Sequence, residues 1–98
     1  MKKEMQMQVE WTDKAVQQRK QLLAARRDYA GSASAQKAYA EMKRLLDLAA
    51  TQPQMGKPGI VNGTRELFPM RYRIVYTVSE NHLTVVAVLP QWQKWPDE

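Results

Sequence analysis

Cysteine is absent from the 98 residues, so neither a disulfide nor a thiolate-held metal is available. Small secreted domains often depend on such staples, and the expected setting is therefore a reducing cytoplasm. Histidine occurs once, at His82, in a stretch that reads as an exposed turn; a lone histidine without cysteine argues against zinc, and no cofactor is expected. No apolar run approaches the ~20 residues of a membrane helix, so a membrane is not an expected partner. Lys2 and Lys3 are followed by no apolar stretch, and Met1–Gln6 does not read as a signal peptide. Acidic side chains are outnumbered 10 to 15 by lysine and arginine, leaving a formal charge of +5. That balance suits an anionic partner, nucleic acid or an acidic protein segment, and it also serves plain solubility.

What is present is enough for one thin core. A chain of this length buries roughly 60–70% of the surface its unfolded form exposes, so residues 1–98 are expected to form a single domain. Residues 1–5 read as a frayed terminus and 91–98 as a tail. From Gln6 to Thr12 the chain alternates, with Met7, Val9 and Trp11 on one face, which predicts a half-buried strand. Thr12 or Asp13 can then cap a helix. Helical spacing of Ala15, Val16, Leu22 and Leu23 runs over 14–29, with Arg19 and Arg26 between them on the same side, and the charges Lys14, Arg19, Lys20, Arg26 and Arg27 read mostly as a solvated face. Gly31-Ser32 interrupts it, and Ser32 or Ser34 is the expected cap of a second helix over 35–50. Its stripe is Ala35, Ala38, Tyr39, Met42, Leu45, Leu46 and Ala49. So short a connection makes the helices antiparallel neighbours.

Pro53, Gly56, Pro58 and Gly59 then break the chain. Strands follow: one from about Ile60 to Phe68, one over 71–78 after a turn at Pro69-Met70, and one over 83–89 that is apolar on both faces and ends at Pro90. Gly63 reads as a bulge or a point of close backbone approach. The expected fold class is α+β, order β-α-α-β-β-β: a helical hairpin on one face of an antiparallel sheet, the other face partly open.

The run Gly63-Thr64-Arg65-Glu66-Leu67, followed after Phe68-Pro69-Met70 by Arg71-Tyr72-Arg73-Ile74-Val75-Tyr76, carries a resemblance. With the element order, it resembles the RelE/ParE toxins of bacterial type II toxin–antitoxin systems over about residues 8–89. The resemblance implies a growth-inhibiting toxin neutralised by a cognate antitoxin, forming a hetero-oligomer with it. Two activities occur in the family: RelE-like members cleave messenger RNA on the ribosome, and ParE-like members poison DNA gyrase. RelE-like chemistry needs cations at the phosphate and a proton donor or acceptor, a tyrosine or histidine near the C-terminus. The tail Pro90-Gln91-Trp92-Gln93-Lys94-Trp95-Pro96 holds neither, and Phe68 departs from that pattern after Leu67. The expectation is thus ParE-like, acting by binding. A messenger-RNA endonuclease using Arg65, Arg71 and Arg73 is the alternative, and a degenerate, non-toxic partner-binding module is the third reading.

Arg71 and Arg73, two apart on one strand, are expected on one sheet face opposite Tyr72, Ile74 and Tyr76, with Arg65 nearby. Such a cluster suits phosphates, an acidic antitoxin segment, or simple solvation of an open face. Glu66 is expected to pair with one of these arginines at the surface, for ~0–1 kcal/mol. Trp92 and Trp95, beside Lys94, either close the core or anchor a partner.

Overall fold

The computed structural model describes residues 6–96; the expected frayed segment 1–5 and the last two residues of the tail lie outside the described residues. Strand β1, Gln8–Trp11, leads directly into helix α1, Asp13–Ala30. Thr12 is the N-cap, its hydroxyl accepting from the Ala15 amide at 3.1 Å, while Asp13 adds its charge in the first turn. Gly31, at φ 95°, ends α1 and starts α2, Ser32–Thr51. Neither serine expected as a cap does that work: Ser32 and Ser34 lie inside α2, and Ser34 instead accepts from Arg26 Nε at 2.8 Å. A glycine free to adopt positive φ turns the chain without needing a side-chain cap.

Beyond the proline-rich loop come β2, Lys57–Pro58, β3, Thr64–Leu67, β4, Tyr72–Ser79, and β5, His82–Pro90. The sheet order is β1-β5-β4-β3-β2, with β1 parallel to β5 and the other pairs antiparallel. One more strand is present than expected. Lys57 and Pro58 pair with Glu66 and Arg65 inside the stretch read as breakers, because a proline is tolerated on an edge. Ile60 and Val61, expected to open a strand, are exposed loop residues. Gly63 stands at φ 90° with nothing near its missing Cβ, so it makes a turn and not a bulge. His82 is paired within the sheet as the first residue of β5 and does not lie in the turn.

The helices cover one face. Ala38, Met42, Leu46 and Ala49 of α2 and Ala15 of α1 pack on Tyr72, Ile74 and Tyr76 of β4 and Leu83, Val85 and Val88 of β5. Tyr39, expected in that stripe, is partly exposed and lies under the Arg19 guanidinium at 5.1 Å, which also sits 4.7 Å over the Trp11 ring. The open face carries a smaller apolar group, Val75, Ala87 and Leu89 with Val86 and Trp95. Its phase comes from an irregularity in β5: Val75 pairs with Ala87 but Tyr76 with Val85, so Val86 is an extra residue. Leu83 and Val85 therefore face the helices, and after the bulge Val88 does.

Candidate binding surface

The arginines do not form one platform. Arg71 is not in a strand; it closes a single 3-10 turn, Pro69–Arg71, in which Met70 and Arg71 both hold positive φ, 49° and 73°. Non-glycine residues rarely adopt this region. The turn carries Arg71 towards α1, where it lines a cleft with Leu22, Ala25, Arg26, Tyr29 and Trp92. Arg73, two residues on, points to the open sheet face. The expectation of a shared face is overturned at the turn, which resets the direction before β4 begins.

Arg73 is held on several sides. Nη1 donates to Glu66 Oε1, Nη2 to the Gln91 carbonyl at 2.9 Å, and the guanidinium lies 5.1 Å from the Phe68 ring. Its Nε is buried without a hydrogen-bond partner. Glu66 is 5% exposed and the Arg73 side chain 15%, so this is an interior ion pair and not the surface pair expected. Arg65 turns the other way and donates from Nη1 to the carbonyls of Gln54 and Gly56, at 3.2 and 2.8 Å. That loop is held again by Tyr76, whose hydroxyl donates to Pro53 at 2.8 Å and accepts from the Gly56 amide at 3.1 Å. Burial raises the Tyr76 phenol above its ordinary pKa, opposed by the Gly56 bond and the nearby Arg65 charge.

The two tail tryptophans have different fates. Trp95 packs on the Val75, Ala87 and Leu89 patch, whereas Trp92 is 80% exposed at the rim of the Arg71 cleft. Lys94 between them is exposed. His82 Nε2 lies 3.3 Å from Glu10 Oε2, on the β1–β5 pair. Among the described residues no group of three His, Cys, Asp or Glu is placed to hold a metal. Nor is any helix there long and apolar enough to cross a membrane.

Several contacts at the surface are not foreseen by the sequence pattern. Arg26 is fixed by Ser34 and by Tyr72, whose hydroxyl accepts from Nη1 at 3.2 Å. Tyr29 is 75% exposed on the last turn of α1. Gln18 accepts from the Val88 amide at 2.8 Å and ties α1 to β5 just past the bulge. Alternation and helical period carry no signal for these long-range polar contacts.

Comparison with known proteins agrees with this architecture. A solved structure described as a chromosomal ParDE TA system from P. aeruginosa is similar with a TM-score of 0.76 at 18% identity, covering 87% of this chain and 96% of that one. No curated protein matches the sequence. The family model for the ParE toxin of the type II toxin–antitoxin system parDE matches residues 9–95. That span takes in every strand and helix except the first residue of β1, and the chain belongs to the ParE toxin family of type II toxin–antitoxin systems.

Proposed function

We propose that this ParE-family toxin inhibits growth by binding DNA gyrase, and that a cognate antitoxin neutralises it by covering its basic surface. The family match over residues 9–95 supports a toxin, and the engagement of Arg65 and Arg73 carries the choice of binding over cleavage. Arg65 is spent on two loop carbonyls and Arg73 on Glu66 and Gln91, so neither is directed at an external phosphate. The sole histidine sits against Glu10 and not among the arginines. Cleavage of RNA needs cations and a proton-transferring group converging on one phosphate. Arg65, Arg73 and His82 do not converge in that way.

A supercoiling reaction tests the target. Purified protein added to gyrase, ATP and relaxed plasmid is expected to suppress supercoiling in proportion to its concentration. Full supercoiling at a large molar excess removes gyrase as the target. Translating ribosomes treated with the same preparation are expected to keep their messenger intact. Cuts in the decoding site would replace the binding reading with an endonuclease.

A further inference from the structure

The cleft beside the Pro69–Arg71 turn brings cations together with two strongly exposed aromatic side chains. Two guanidiniums, Arg26 and Arg71, share its wall, and no carboxylate lines it. Arg71 enters none of the salt bridges among the described residues. Tyr29 and Trp92 stand at the rim, the two most exposed large hydrophobic side chains described, at 75% and 80%. Its volume is about 490 Å³, room for a few side chains of a partner.

The site is built, not merely exposed. The Arg26 guanidinium and the backbones that carry Arg71 and Trp92 are held in place. Arg26 is oriented by Ser34 and Tyr72. The Arg71 backbone is held in a left-handed conformation that a non-glycine residue rarely adopts. Trp92 follows Gln91, whose amide donates to the Arg71 carbonyl at 2.8 Å while its own carbonyl accepts from Arg73. The Glu66–Arg73 pair therefore acts as a clamp, fixing the backbone that carries the exposed indole. Side chains ordered before binding lose less entropy on association. Trp, Tyr and Arg are also the residue types enriched at energetic centres of protein interfaces.

We propose that this cleft is the docking site for an acidic peptide segment of a protein partner. Arg26 and Arg71 take a carboxylate, while Tyr29 and Trp92 grip an adjacent apolar side chain. Charge complementarity selects the acid, and the apolar floor of Leu22, Ala25, Met70 and Pro90 selects a peptide over a nucleic acid. A single strand of nucleic acid needs cations that continue along its backbone. Here the helix α1 cations Arg19, Lys20 and Arg27 line a separate groove between α1 and α2. The inference rests on the reading that the toxin works by binding proteins, and it names the surface used.

The test is fluorescence anisotropy on the full chain with three labelled probes of equal length. These are a peptide of alternating glutamate and leucine, its lysine–leucine counterpart, and oligothymidylate. The glutamate peptide is expected to bind best, and Arg71→Glu and Trp92→Ala are each expected to weaken it about tenfold or more. Both positions are exposed, so circular dichroism should be unchanged. Lys43→Glu, the same charge change on an exposed position of α2, is expected to stay within about twofold, as for a screened distant charge. No binding of the glutamate peptide overturns the proposal, as does equal loss in Arg71→Glu and Lys43→Glu. Tighter, cleft-dependent binding of oligothymidylate also overturns it, by making the cleft a nucleic-acid surface. The supercoiling assay on the same proteins separates the two claims. Cleft-dependent peptide binding with unaffected gyrase removes only the target. Gyrase inhibition without peptide binding removes only the cleft.

Discussion

The Tyr76 hydroxyl bonds two backbone groups of the loop before β2, the Pro53 carbonyl and the Gly56 amide. Removing it in Tyr76→Phe leaves both without that partner, at a cost of about 1–3 kcal/mol. In a domain of this size that lowers the thermal midpoint by about 4–8 °C per kcal/mol, measurable by circular dichroism. The same phenol gives a pH dependence. Its folded pKa lies above the ordinary value of 10.0, chiefly through burial, so the folded state holds the proton more tightly than the unfolded one. The stabilisation is complete below about pH 10 and is lost as pH rises through the folded value. Wild-type stability is thus expected to fall above that point, more steeply than in Tyr76→Phe; identical alkaline slopes would contradict the assignment. Gly56→Ala attacks the same contact from the other side. A Cβ at Gly56 would lie 2.6 Å from the Tyr76 oxygen, on a ring that both bonds hold in place. About 1–3 kcal/mol of destabilisation is expected from that overlap, and a midpoint unchanged in urea titration would show that the loop yields freely.

Among the elements, β4 divides what alternation reveals from what it conceals. Tyr72, Ile74 and Tyr76 face the helices as their spacing requires, and Met42, Leu46 and Ala49 meet them from α2. The turn at Pro69-Met70 runs one residue further than its proline marks; Met70 and Arg71 enter positive φ with ordinary side chains, which a propensity reading does not foresee. Val86 is likewise hidden, since β5 is apolar on both faces and an extra residue changes no pattern. The burial of Glu66 was invisible for a related reason. Its partner Arg73 is near in sequence, but the strand beside Glu66 is β2, and Arg73 is flanked by Phe68 and the Gln91 carbonyl. Glu66→Ala is expected to cost about 1–3 kcal/mol, because it leaves the partly buried Arg73 guanidinium without its carboxylate. Glu66→Leu combined with Arg73→Met should recover most of that loss, since an apolar pair needs no desolvation. The double variant is nonetheless expected to bind the acidic peptide more weakly, having lost the bond to Gln91 that fixes Trp92. Restored stability with unaltered affinity would show that the clamp does not serve the cleft.

At the scale of the whole molecule, charge and anchoring separate into different kinetic roles. A formal charge of +5 spread over both helices and the turn creates a field that reaches an acidic partner before contact. Such a field raises the association rate, and salt weakens it once ions screen beyond about 10 Å at 0.1 M. Trp92 and Tyr29 act only after contact, where an aromatic seated in a pocket slows escape. Stopped-flow or surface-plasmon measurements with the glutamate–leucine peptide can separate the two. Raising salt from low to physiological strength is expected to lower the association rate and leave dissociation nearly constant. Trp92→Ala is expected to do the reverse, accelerating dissociation with little change in association. Lys43→Glu, far from the cleft walls, should show a small association effect alone, because it alters the field without touching the anchor. A dissociation rate that responds to salt more strongly than the association rate would mean that ion pairs, and not the indole, hold the partner. The clamped Trp92 backbone would then have no bearing on how long the complex lasts.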